Sequence, residues 1–436
     1  MDIGLLTLVI VLAIAILLVM RLPLAFVTGS VAVTVGMWKF GPAVLGLIGS
    51  RIYSFMSEYV LVAVPMFIMM ASLMERTGVA RDLYRAMHVW GGGLRGGLAL
   101  QTLIVAMIMA AMTGIIGGEI VLLGMIALPQ MLRLGYNKNL AVGTICAGGS
   151  LGTMIPPSIV LIIYGLTANV PIGDLFIATI VPGFLLAALY LTYILVRCCI
   201  NPALGPPAPL EERQMPFLQK LALFKNLFLP LSVAAWVLGS IYGGIASVSE
   251  AAGMGVVGTL IAALMRRELN WRAVRESALQ TMNTCGMLLW LTFGATALIG
   301  VYNLLGGTTF VKSVVLGLEL GPIGVVLIMM GILVVMGLFM DWVGILLLTV
   351  PIFVPVIVSL GYDPVWFGVL CCMNMQVSYL SPPFGPAAFY LKGVAPPNIS
   401  LQDIFAGLWP FIILQLVVLT IVLLAPQVAL WLPGLL

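Results

Sequence analysis

The sequence predicts an all-α, polytopic membrane protein made of two inverted-topology repeats, each holding a re-entrant hairpin and a broken helix. Three observations predict it. Hydrophobic residues make up 62% of the 436 and charged residues 8%, against roughly a half and a quarter in a soluble domain. Apolar runs recur at the ~20 residues that a spanning helix needs. A motif near the middle also returns near the end at one offset. Leu134-Gly135-Tyr136 returns as Leu360-Gly361-Tyr362, Pro156-Pro157 as Pro382-Pro383, Tyr164 as Tyr390 and Pro129 as Pro355, each pair 226 residues apart. Matched apolar halves with a Pro-Pro interruption in each are the pattern of secondary transporters, whose broken helices hold substrate and ions near the bilayer midplane.

The first repeat, residues 1–197, opens with apolar runs at about 3–20, 23–40 and 53–74. Asp2 stands where a signal peptide would be basic, and the first run is long enough to span, so a cleavable leader is not expected. A basic loop follows, with Arg76, Arg81, Arg85 and Arg95. Within it, 78–92 is amphipathic and is expected to lie along the interface as an arm. The stretch 98–131 is too long for one span and is interrupted at Thr113-Gly114 and Gly117-Gly118, with Arg133 and Lys138 beyond it. The positive-inside rule places both basic segments in the cytoplasm. That requires 98–131 to enter and turn back as a hairpin with its tip near 113–118. The run 139–168 is broken at Gly148-Gly149-Ser150 and Pro156-Pro157, and 175–196 leads into a Pro-rich, charged linker at 198–225, also cytoplasmic.

In the second repeat, 226–436, spans at about 228–246 and 248–265 lead to Arg266, Arg267, Arg272 and Arg275. The piece 268–279 is expected to be a second interfacial arm, and 280–305 goes outward. A hairpin at 322–358, tip around Phe339–Gly344, then enters from the periplasmic side. The broken helix 365–391 brings Lys392 inside, and 403–424 leaves the C-terminus outside. The first repeat starts outside and the second inside, which makes them inverted. Loops at 75–97, 198–225 and 266–277 are expected in the cytoplasm and both termini in the periplasm.

Other chemistries find no support. Six cysteines show no CxxC spacing, His88 is the sole histidine, and no HExxH, GxSxG or phosphate-binding loop occurs. The chain is therefore not expected to be an enzyme. Its net charge of +4 is spread over short loops, which is no signal for nucleic acid. Glycine, small hydroxyls and proline instead gather at membrane depth in four segments: Thr113–Gly118, Gly148–Pro157, Phe339–Gly344 and Gln376–Pro386. Unwound backbone exposes carbonyls that suit a hard monovalent cation, and half-helix N-termini that suit an anion. Thr113, Ser150, Thr153, Ser158, Ser378 and Ser381 are the hydroxyls in place to help. The plainer reading is that Gly and Ser allow close packing and Pro only kinks. Of two acids at this depth, Asp341 is read as a cation or tip-closing residue and Glu119 as a structural partner of the tip. Glu58 and Glu250 are read as interfacial. The Pro-Pro pairs should free the carbonyls of Met154, Ile155, Leu380 and Ser381.

These residues resemble the large membrane subunit of tripartite ATP-independent periplasmic (TRAP) transporters, of the DctM type, over nearly the whole chain. The likeness is carried by Pro65-Met66-Phe67, Met74-Glu75-Arg76-Thr77-Gly78, Thr113-Gly114-Ile115-Ile116-Gly117, Leu128-Pro129 and the run from Gly148 to Ser158. In the second half it rests on Met340-Asp341, Trp366-Phe367-Gly368, Ser381–Pro386 and Leu391-Lys392-Gly393-Val394-Ala395-Pro396. The resemblance implies a multi-pass protein of the bacterial inner membrane with an elevator-type mechanism and sodium (Na+) as coupling ion. It also implies a small four-helix membrane subunit as a separate chain, and a periplasmic binding protein that delivers an organic anion. Sodium ligands are then expected among Thr113, Gly114, Gly117, Gly149, Thr153, Ile155, Pro156, Met340, Asp341, Ser378, Ser381 and Pro382. Substrate contacts are expected from Ser150, Pro157, Ser158, Gln376, Pro383 and Gly385. Many members carry a Ser-Gly-Ser-Ser type first tip, replaced here by Thr113-Gly114-Ile115-Ile116, so ion binding there should lean on carbonyls. The alternative is a stand-alone sodium-coupled anion transporter needing no binding protein. A C4-dicarboxylate, a keto or hydroxy acid, a sugar acid and a sulfonate all remain open as substrates.

Overall fold

Backbone amides in lipid must be paired within the protein, and helices pair them locally. Every secondary element among the described residues is helical. The structure, a computed structural model, describes residues 2–435 apart from 79–81, 85–86, 88–92, 115–116, 208–216 and 318–319. The chain opens with α1 (Ile3–Val19), α2 (Leu24–Phe40), α3 (Ala43–Met56) and α4 (Ala63–Arg76). A helical hairpin of α5 (Gly97–Thr113) and α6 (Gly118–Arg133) follows. Next come the two pieces of the broken helix, α7 (Lys138–Ser150) and α8 (Ile159–Ala168), and then the long α9 (Ile172–Ile200). The second half runs α10 (Phe217–Tyr242), α11 (Val248–Met265), α12 (Trp271–Leu304) and α13 (Gly307–Leu316). Its hairpin is α14 (Pro322–Gly337) with α15 (Trp342–Ser359), its broken helix α16 (Pro364–Leu380) with α17 (Pro386–Val394), and α18 (Leu401–Leu424) and α19 (Gln427–Leu430) end it. Among the described residues six helical stretches are long and apolar enough to cross a membrane: Tyr59–Arg76, α9, α11, α12, α15 and α18.

The 226-residue offset runs through this helix order. Shifted by it, α1 and α2 fall over α10 and α11, and α3 with α4 over α12. The shifted hairpin α5–α6 falls over α14–α15, and α7, α8 and α9 over α16, α17 and α18. Packing follows the same exchange. Helix α2 packs on α12 as α11 does on α4, α7 on α18 as α16 does on α9, and α8 on α15 as α17 does on α6. Contacts sort the helices into an outer group, α1–α4 with α10–α12, and a group holding both hairpins and both broken helices. The two groups meet where α4 packs on α5 and α12 on α15.

Several boundaries differ from expectation. The run 53–74 is not one span: α3 is a separate helix, and a 3-10 turn at Tyr59–Val62 leads into α4. Ser57 stops α3 by turning its hydroxyl onto the Tyr53 carbonyl at 2.8 Å, the local bond by which serine competes with helix. The piece 268–279 is not a separate arm, because α12 is continuous from Trp271, started by the Asn270 side chain accepting from Ala273 N–H at 2.7 Å. Its 34 residues extend about 50 Å, well beyond the ~30 Å hydrocarbon layer. The linker is shorter than 198–225, since α9 reaches Ile200 and α10 starts at Phe217. The second tip is also shorter than Phe339–Gly344: Trp342 already begins α15, because Asp341 caps it. Most of the arm at 78–92, with His88 and Trp90, and the tip residues Ile115-Ile116 lie outside the described residues.

Candidate functional site

Each hairpin tip is pressed against the break of a helix. In the first half α5 stops at Gly114, whose φ of 60° is left-handed, and α6 restarts after Gly117 at φ 121°. Both values favour glycine. Gly114 lies so close to the Pro157 carbonyl that a Cβ would overlap it, and the Gly114 carbonyl accepts from Ile159 N–H at 3.4 Å. Gly117 faces the ring of Tyr390 on α17. Thr113 Oγ1 donates to Glu119 Oε1. From the break inward, Ser158 Oγ donates to the Thr153 carbonyl (2.6 Å) and Thr153 Oγ1 to the Ser150 carbonyl (3.0 Å). Pro156, Pro157 and Ser158 are buried, Ile155 is half-buried, and Gly149 is packed by Ile120.

In the second half Asp341 caps α15, its carboxylate accepting from Val343 N–H at 3.4 Å, a bond that satisfies a free amide of the first turn. Gly337, Met340, Asp341, Ser378 and Tyr379 line a cavity of about 10 Å³ with Phe384 and Pro386. That is room for about one water-sized species. Ser378 packs its hydroxyl onto Gly337, where a Cβ would overlap it. The expected group of Asp341, Met340 and Ser378 is thus brought together. Ser381 stands apart, donating to the Val377 carbonyl at 2.7 Å. Pro382 is half-buried, Pro383 and Phe384 are exposed, and Gly385 is buried. Both Pro-Pro peptides are cis.

The freed carbonyls are fewer than expected. Gly385 N–H takes the Ser381 carbonyl at 2.9 Å, because the chain turns back at once into α17. Those of Met154, Ile155 and Leu380 have no hydrogen-bond donor among the described residues.

The two breaks are joined at the centre by repeat mates. Gln376 Nε2 donates to the Ser150 carbonyl at 3.0 Å, across a separation of 226 residues. Gln415 Nε2 reaches Ser150 Oγ at 3.4 Å, and all three residues are buried. Tyr190 is buried beside Gln415 and Ser150, and neither glutamine Oε1 has a hydrogen-bond partner among the described residues. An unpaired buried polar group is costly and rare in a native fold. Sequence reasoning missed Gln415 and Tyr190. A lone glutamine inside the apolar span 403–424 was the available signal.

Comparison with known proteins agrees over nearly the whole chain. Residues 11–428 match the family described as tripartite ATP-independent periplasmic transporter, DctM component. A C4-dicarboxylate TRAP transporter large permease protein DctM of Vibrio cholerae is 29% identical over 96% of each chain. The protein of the same description in Pseudomonas aeruginosa is 30% identical over 91% of each. Among solved structures, the YdaH transporter of Alcanivorax borkumensis, described as having an unusual topology, superposes at a TM-score of 0.61. It covers 90% of this chain and 89% of that one at 16% identity, a likeness of fold alone.

Proposed function

Because this chain belongs to the tripartite ATP-independent periplasmic transporter family, as the DctM large permease subunit, we propose that it imports its organic anion by sodium symport. It is a multi-pass protein of the bacterial inner membrane, an organic-acid transporter and not an enzyme. In this reading a periplasmic binding protein hands over the anion, and a small four-helix membrane subunit accompanies the outer helices. The loops at 75–97, 198–225 and 266–277 face the cytoplasm and the termini face the periplasm, so the repeats are inverted and both hairpins are re-entrant. The group carrying hairpins and broken helices moves as an elevator past α1–α4 and α10–α12.

One observation carries the proposal: each tip abuts a break where oxygens gather. Gly114 lies on Pro157 in the first half, and Asp341 shares a cavity with Ser378 in the second. Sodium is a hard ion that needs several oxygens, and these are the oxygen-rich points of an apolar chain. No Lys or Arg occurs in either break. The anion's charge is then met by sodium and by the N-terminal ends of α8 and α17, whose free amides favour negative charge. Relatives are described as C4-dicarboxylate, isethionate, ectoine and sialic acid transporters, so their names favour no one class of cargo.

Reconstituted vesicles test the partnership. A panel of labelled C4-dicarboxylate, hydroxy acid, sugar acid and sulfonate is offered with and without periplasmic extract. Uptake of one class that needs the extract is expected. Equal uptake without it would favour a stand-alone carrier.

A further inference from the structure

Two acidic residues lie beside the first tip, across the boundary between the helix groups. Glu119, in the first turn of α6, is fully buried; Thr113 donates to its Oε1, while Oε2 has no hydrogen-bond partner among the described residues. Glu75, in the last turn of α4, sits on the backbone of Gly118, the residue before Glu119, where a Cβ would overlap its Oε1. An ionised carboxylate with a bare oxygen in apolar surroundings, next to a second one, is strongly unfavourable without a cation. The nearby arginines have other partners or face the cavity. Arg76 binds Glu276 and Gln280, Arg266 binds Asp82 and Glu268, and Arg267 is exposed. A cavity of about 360 Å³, whose lining includes Glu75, Arg76, Thr77, Arg267, Glu268 and Asn270, reaches Glu75 from the loop side.

We propose that Glu119 and Glu75, helped by Thr113 Oγ1, bind a sodium ion that bridges the first hairpin to α4 and is reached through this cavity. The proposal deepens the sodium reading above and rests on it. Carboxylates suit a hard cation, and here they belong to opposite helix groups. The bound ion ties hairpin to scaffold, and its loss through the cavity frees them. The site belongs to the first half alone, because the repeat mate of Glu119 is Ile345.

Thermal unfolding of the purified protein, titrated with sodium chloride against potassium chloride at constant ionic strength, tests this. The wild type should gain stability with sodium. Glu119→Gln and Glu75→Gln should each raise the half-saturating sodium concentration about tenfold. If Glu119→Gln does not fold, Glu75→Gln decides alone. Wild-type sodium affinity in the folded variants, or an equal response to potassium, overturns the site. A wild type that does not respond to sodium instead overturns the sodium reading itself.

Discussion

At the first hairpin tip, glycines at positive φ press the chain onto a break whose Pro156 and Pro157 are buried. At the second, a capping aspartate stands over a break whose Pro383 and Phe384 are exposed. The helix plan is shared, but the polar chemistry is not. Glu119 corresponds to Ile345, and Asp341 corresponds to position 115, an isoleucine. The difference teaches that the two halves share where helices break and touch but not where their charged groups stand. Close approach is also enforced differently. Gly114 faces a backbone carbonyl and is itself left-handed, whereas Gly337 lies in helical backbone and faces the Cβ and hydroxyl of Ser378.

The largest expected effect separates those two glycines. Gly114→Ala puts a side chain on left-handed backbone and into the Pro157 carbonyl, and overpacking of this kind costs about 1–3 kcal/mol before strain is added. Uptake should fall more than tenfold. Gly337→Ala meets the Ser378 Cβ but adds no left-handed strain, so uptake should fall less than for Gly114→Ala. Uptake per unit of inserted protein checks both, and the reverse order would break the comparison.

A smaller effect sharpens the second site. Ser378→Ala removes an oxygen from the cavity that Asp341 shares, and one such contact is worth about 1 kcal/mol. The sodium concentration for half-maximal uptake should rise several-fold. Ser381→Ala, outside that cavity and tied to Val377, should leave it unchanged. Equal shifts in the two variants would show that the ion lies nearer the exposed break than the cavity implies.

The smallest effect concerns a pair of repeat mates. Tyr164 is buried and donates to the Pro364 carbonyl at 2.6 Å, while Tyr390 is exposed. Tyr164→Phe should lose about 1 kcal/mol of stability, and Tyr390→Phe none that thermal unfolding detects. Matching losses would mean that the two halves are more alike at this position than their burial suggests.

The all-helical membrane class was legible because apolar runs of spanning length recur, and glycine and proline, which act locally on backbone, marked where α5 and α7 end. The continuity of α12 was hidden, since Arg272, Arg275 and Glu276 in its first turns made 268–279 read as a separate interfacial arm. The separation of α3 was hidden by Gly46, Gly49 and Arg51, which interrupt its apolar run. Side-chain partners were less legible still. Glu75 and Glu119 are 44 positions apart, and Gln415 meets Ser150 across 265 residues. Such pairs depend on how helices cross, which hydropathy does not encode. The grouping of Asp341 with Ser378 could be anticipated only because both lie in matched interruptions.

The central claim is that a sodium gradient drives this carrier, and vesicles holding the complete transporter with its binding protein test it most directly. Uptake of the labelled anion is followed under an inward sodium gradient, then with choline replacing sodium while a proton gradient is imposed. The account predicts accumulation in the first condition and none in the second. Full uptake in choline that collapses when the proton gradient is dissipated would contradict it.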